Sequence, residues 1–197
     1  MEILMAGAAA LASGIAAGAL APWWGGRTTP SRRVRWGVAT AVWLISLAGA
    51  GWDSHWRLWN DGFVALGCVV AVVDARDRII PNRLVALTAL WTLSGGAAPW
   101  AHWLAALETG GGIFLFYLVI HLLTRGGLGM GDVKYGGALG VALGWPAALA
   151  ALAAGVWAAG IYALYLLVFR KKRRTDAIAL GPFLAFGGII GILERIH

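Results

Sequence analysis

A single cysteine, Cys68, excludes an internal disulfide and any four-cysteine zinc site, and its place within an apolar run marks it as a small buried apolar residue. Charge is scarce too. Only 13% of the 197 residues are Asp, Glu, Lys or Arg, about half the share of an average soluble domain. No polar stretch is long enough to form a separate soluble domain, so the length describes one bundle of apolar segments, a single domain over 1–197. What the chain has instead is hydrocarbon: 60% of its residues are hydrophobic, and the mean hydropathy is +0.75. A chain of that composition has a lipid-facing surface and belongs in a bilayer.

Apolar runs measured against a span of about 20 residues predict helices near 3–22, 37–51, 60–75, 84–99, 103–123, 134–145, 147–169 and 178–193. The fold class is therefore all-α, a polytopic membrane helix bundle of eight transmembrane helices. The count falls to seven if Gly144-Trp145-Pro146 kinks one broken helix instead of forming a tight turn. The first run is read as a retained span and not as a cleaved signal peptide. Glu2 is the only charge before it, and the basic cluster Arg27, Arg32, Arg33 and Arg35 follows it.

The formal charge of +7 would also suit a nucleic-acid binder, but its distribution favours a membrane topology. With eight spans, all of the 16 basic residues except Arg57 and Arg195 fall in loops on one side, which is then the cytoplasmic side, with both termini outside. Trp52, Trp56, Trp59, Trp100, Trp103 and Trp145 gather near the opposite ends, as interfacial rings do. The run Arg170–Arg174 directly follows an apolar helix and reads as a topogenic anchor. Two sets of small residues, Gly136, Gly137, Gly140 and Gly144, then Gly187, Gly188 and Gly191, signal close helix packing without chemistry.

Chemistry must come from the nine acidic residues. Glu2, Asp53, Asp61, Asp176 and Glu194 fall in expected loops or chain ends and read as solvated, and Glu108 lies shallowly in its helix. Asp74 closes the apolar run Val64–Val73 and opens Asp74-Ala-Arg-Asp-Arg-Ile-Ile-Pro-Asn82, where Pro81 stops the helix and turns the chain. Asp77, one turn on among arginines, suits an ordinary ion pair. Asp132 lies in Gly126-Gly-Leu-Gly-Met-Gly-Asp-Val-Lys134, a glycine-rich stretch that permits close approach by another segment. Taken alone, this stretch reads equally well as an interhelical turn ending in an N-capping Asp132. Taken together, Asp74 and Asp132 lie on one side of the membrane. Two carboxylates sharing a proton can hydrolyse a peptide bond without a metal, one activating water and the other protonating the carbonyl oxygen.

At these residues the chain resembles the type IV prepilin peptidase family of membrane aspartyl peptidases. Asp74 followed by Ile80-Pro81-Asn82 is similar to the family's first aspartate motif, and Gly129-Met-Gly-Asp-Val-Lys134 to its Gly-x-Gly-Asp motif with trailing lysine. Leu180-Gly-Pro-Phe-Leu-Ala-Phe-Gly187 resembles its final segment, so the likeness spans roughly residues 60–193. The resemblance implies that Asp74 and Asp132 are the catalytic pair, with Gly129, Gly131, Lys134, Pro81 and Asn82 supporting the two loops. It implies no metal or organic cofactor. The implied substrates are prepilins, pseudopilins or preflagellin-like proteins, cleaved after a short basic leader at the cytoplasmic face of the plasma membrane.

Many bacterial members carry a cysteine-containing cytoplasmic domain between the first two spans and also methylate the new N-terminus. Here that loop is short and lacks cysteine, so peptidase activity alone is the expectation. Two alternatives compete. A presenilin-like or signal-peptide-peptidase-like protease would share the Gly-x-Gly-Asp motif, but would carry Pro-Ala-Leu where this chain has Gly181-Pro-Phe-Leu184, and Tyr before the first Asp. A proton-coupled transporter or channel would place its acids near the midplane between inverted repeats, and neither feature is visible in the sequence.

Overall fold

The computed structural model describes residues 31–48, 54–94, 100–169 and 178–193. The expected span 3–22 and the basic run Arg170–Arg174 lie outside the described residues. Among the described residues there are seven helices and no strand. They are α1 (Arg32–Ala48), α2 (Ser54–Asp77), α3 (Asn82–Ser94), α4 (Trp100–Leu123), α5 (Met130–Leu143), α6 (Ala147–Phe169) and α7 (Gly181–Leu193).

Two stretches, Trp103–Leu123 in α4 and Ala147–Phe169 in α6, are long and apolar enough to cross a bilayer. They are not core helices of a water-soluble protein. Leu115, Phe116 and Leu122 on α4, and Trp157, Ile161 and Phe169 on α6, are more than half exposed. An apolar surface of that extent suits contact with lipid, and the chain is a helical membrane protein.

The run predicted at 134–145 falls mostly in α5, which is only 14 residues long, about 21 Å at the α-helical rise and short for a full span. Its length is tolerable because it does not face lipid. Tyr135, Leu139 and Leu143 are almost fully buried, and α3, α4, α6 and α7 pack around it. At its end Gly144 adopts a left-handed φ of 66° and donates its N–H to Gly140 O, so Gly144-Trp145-Pro146 is a tight turn between two helices. Gly144 therefore caps a helix and does not pack one.

The other small residues do permit close packing. A β-carbon on Gly140 would lie 2.8 Å from Gly110 Cα across the α4–α5 contact, and one on Gly155 would lie 2.7 Å from Phe183 O in α7. Between α2 and α3 the tie is polar at the end away from Asp74. Trp59 Nε1 donates to Trp91 O at 3.0 Å, and Trp91 Nε1 to Trp59 O at 2.9 Å.

One sequence expectation fails here. Asp61, read as a solvated loop residue, is only 1% exposed, because α2 begins at Ser54 and carries Asp61 two turns into the helix beside the buried Phe63 and Val64. The segment Trp56-Arg-Leu-Trp-Asn-Asp looks interfacial by composition but is helical.

Candidate active site

The last turn of α2 carries Asp74, which is 5% exposed. After Asp77 the chain leaves the helix through Arg78, whose φ of 53° is left-handed and whose N–H still reaches Asp74 O at 2.8 Å. Ile80 turns inward and is buried. Pro81 does more than stop α2. Its carbonyl accepts the N–H groups of Leu84 and Val85, so it opens α3 at Asn82. Asp77 ends the helix half-buried, and Glu108 is exposed on α4.

The glycine-rich stretch before Asp132 is held in place. At the end of α4, Gly126 N–H bonds His121 O at 2.9 Å and Arg125 N–H bonds Leu122 O at 3.1 Å, with Arg125 left-handed at φ 52°. That pairing is a Schellman cap, with an arginine where glycine is usual. His121 Nδ1 then donates to Leu128 O at 2.6 Å, since a carbonyl can only accept. Thr124 Oγ1 accepts the Leu128 N–H at 3.4 Å.

The helix that follows begins one turn earlier than an N-capping Asp132 would require. Gly129 is the N-cap and Met130 the first helical residue, so Asp132 occupies the third helical position. From there its carboxylate reaches back to accept the Gly129 N–H, the reciprocal half of a capping box. This contact explains why residue 129 is bare: a β-carbon there would sit 2.8 Å from Asp132 Oδ2. The other oxygen, Oδ1, is buried without a hydrogen-bond partner.

Three segments far apart in sequence meet at these two acids. Gly131 lies against Ile80, where an added β-carbon would stand 3.0 Å from Ile80 Cβ and 3.2 Å from Ile80 O. Lys134 Nζ donates to Asn82 Oδ1 at 2.9 Å. The first and second loops are thus joined by one apolar and one polar contact, both made by expected support residues. The third segment is Leu180-Gly181, whose position has no local sequence signal. Gly181 N–H, an unpaired donor of the first turn of α7, points at Asp74 and bonds Oδ2 at 2.8 Å. Any β-carbon at Gly181 would come within 2.8–3.0 Å of the Asp74 side chain. Asp74 and Asp132 themselves lie close enough to interact electrostatically. A buried pair of carboxylates, each with one oxygen fixed by a backbone N–H, can share a proton and polarise a water between them.

The model of the type IV leader peptidase family matches residues 62–164, a segment that contains both Asp74 and Asp132. A prepilin leader peptidase/N-methyltransferase of Bacillus subtilis is 30% identical over 132 residues, covering 66% of this chain and 53% of the relative. A protein of the same name from Aeromonas salmonicida is 30% identical over 128 residues, 61% of this chain and 44% of its own length. The leader peptidase HopD of Salmonella typhimurium is 31% identical over 140 residues, 65% of this chain and 87% of the relative. The chain spans about half the length of the first two relatives. No solved structure matches it. Half of the chain, with both acids and the contacts between their loops, falls within one family pattern, and the chain belongs to the type IV leader peptidase family.

Proposed function

We propose that the chain is an aspartyl endopeptidase that removes the short basic leader of prepilins or related pilin-like precursors at the cytoplasmic face of the plasma membrane. The observation that carries this is the meeting of Asp74 and Asp132, brought from the ends of different helices and held by Gly181 N–H and Gly129 N–H. In the reaction one carboxylate takes a proton from water as its oxygen attacks the scissile carbonyl carbon. The other carboxyl gives its proton to the carbonyl oxygen. Collapse of the tetrahedral intermediate breaks the C–N bond, with the proton returned to the leaving amine. Lys134, tied to Asn82, keeps the two loops in register and does not enter the chemistry.

Support for the cytoplasmic placement comes from the charges around the acids. Arg76, Arg78, Arg83, Arg125 and Lys134 surround the two loops, and such residues collect on that side of a membrane. Pilin-like substrates follow from the names of the relatives, and both termini outside follows from the loop charge. A transporter would need its acids within a path across the bilayer, whereas these lie at helix ends on one side.

The test is cleavage of a co-expressed pilin-like precursor, read by gel mobility and N-terminal mass, with the parent and the variants Asp74→Asn, Asp132→Asn and Asp77→Asn. The first two should lose cleavage by about 10²-fold or more while the third retains it. Processing that survives either change in the pair, at equal expression, refutes the dyad.

A further inference from the structure

The dyad leaves one polar group beside it without a role. Tyr117 lies in the apolar stretch Ile113–Ile120 of α4, whose neighbours Leu115, Phe116 and Val119 face outward. Tyr117 itself is 6% exposed, and its hydroxyl is buried without a hydrogen-bond partner. It cannot act as an interfacial anchor, because an anchoring tyrosine presents its hydroxyl to the headgroups. Packing does not require the hydroxyl either. The ring lies over Gly136, where a β-carbon would stand 2.8 Å from its edge, and a phenylalanine would fill that space equally well. An unsatisfied buried hydroxyl is destabilising, so its presence calls for a partner.

Gly136 is one turn along α5 from Asp132, and the Tyr117 hydroxyl lies close enough to the Asp132 carboxylate for the two to interact electrostatically. Asp132 Oδ1 is also buried and unpaired, while its other oxygen is held by Gly129. A donor without an acceptor thus stands near an acceptor without a donor.

We infer that Tyr117 is a positioning residue of the dyad: its hydroxyl donates to Asp132 Oδ1, directly after a small side-chain rotation or through one bridging water, when the precursor is bound. With Gly129 N–H on one oxygen and Tyr117 O–H on the other, the plane of the carboxylate is fixed from both sides. Its free lone pairs are then aimed at the reacting water. This role rests on the aspartyl-peptidase function proposed above.

The test compares the parent, Tyr117→Phe and Asp132→Asn, purified in detergent and assayed on a pilin-like precursor with a short basic leader, together with their melting temperatures. Tyr117→Phe keeps the ring over Gly136 and removes only the hydroxyl. Its kcat should fall on the order of tenfold, with KM as in the parent, a melting temperature no lower than the parent's, and Asp132→Asn inactive. A Tyr117→Phe enzyme with parental kcat, or one whose lower kcat tracks a raised KM or a lower melting temperature, overturns the assignment while leaving the dyad intact. Cleavage retained by Asp132→Asn removes the dyad itself, and the assignment with it.

Discussion

Substituting Gly181→Ala tests the junction between α7 and Asp74 with the smallest possible addition. The new methyl group would lie 2.8 Å from Asp74 Oδ2, 2.9 Å from its Cβ and 3.0 Å from its Cγ. A carboxylate alone can swing aside, but Asp74 Cβ is fixed to the α2 backbone, so α2 and α7 must separate by several tenths of an ångström. Overpacking of that kind costs about 1–3 kcal/mol. The same displacement lengthens the 2.8 Å Gly181 N–H to Oδ2 bond, and hydrogen bonds to charged groups contribute about 1.5–3 kcal/mol. The two effects share one movement and do not add. With about 2 kcal/mol falling on the transition state, kcat/KM should drop about thirtyfold. Gly112→Ala is the matched control, because nothing lies within 4 Å of a β-carbon there and alanine favours a helix over glycine. The assay is the initial rate of leader removal by the purified proteins, with melting temperatures measured in parallel. A Gly181→Ala enzyme as fast as Gly112→Ala would refute the inference that the first turn of α7 positions Asp74.

Lys134→Met should slow cleavage several-fold, and Asn82→Ala should do the same. The double variant should be no slower than either single one, since each removes the same 2.9 Å bond; additive losses would show that Lys134 acts elsewhere. Gly140→Ala, whose methyl would stand 2.8 Å from Gly110 Cα, should lower stability by about 1–3 kcal/mol in a thermal melt. An unchanged melt would show that α4 and α5 do not approach that closely.

Much of this was legible in the sequence because lipid imposes a simple rule: long apolar runs become helices, and acids among them are conspicuous. Asp74 and Asp132 stood out on that ground, and the Schellman cap before Asp132 ends at Gly126, where the glycine-rich stretch begins. Composition misled where helices extend past their apolar runs. Asp61 was read as a solvated loop residue at the edge of the run 60–75, yet the helix begins at Ser54 and its continuity carries Asp61 inside. Gly144 matched a packing pattern but serves a turn, since spacing does not distinguish a helical glycine from its C-cap. Arg78 and Arg125 hold left-handed positions that glycine usually fills, so no local signal marked them. The Gly181 contact with Asp74 is purely tertiary, joining the start of one helix to the end of another.

The lengths of the helices explain why the site forms where it does. Helices α3, α5 and α7 have only 13, 14 and 13 residues, and all three begin at the same place: Asn82 meets Lys134, Gly129 N–H meets Asp132, and Gly181 N–H meets Asp74. Two of these helix N-termini, those of α5 and α7, meet the acids beside the C-terminal end of α2, with Gly129 N–H on Asp132, Gly181 N–H on Asp74 and the positive ends of two dipoles behind them. Two carboxylates sharing one proton carry one net negative charge, an unfavourable load at the negative end of α2. These N-termini offset it with fixed dipoles, which would not need to reorganise as charge moves between the acids in the proposed hydrolysis. The long helices α4 and α6 present exposed apolar faces, while the shorter α5 and α7 turn their first turns to the two acids.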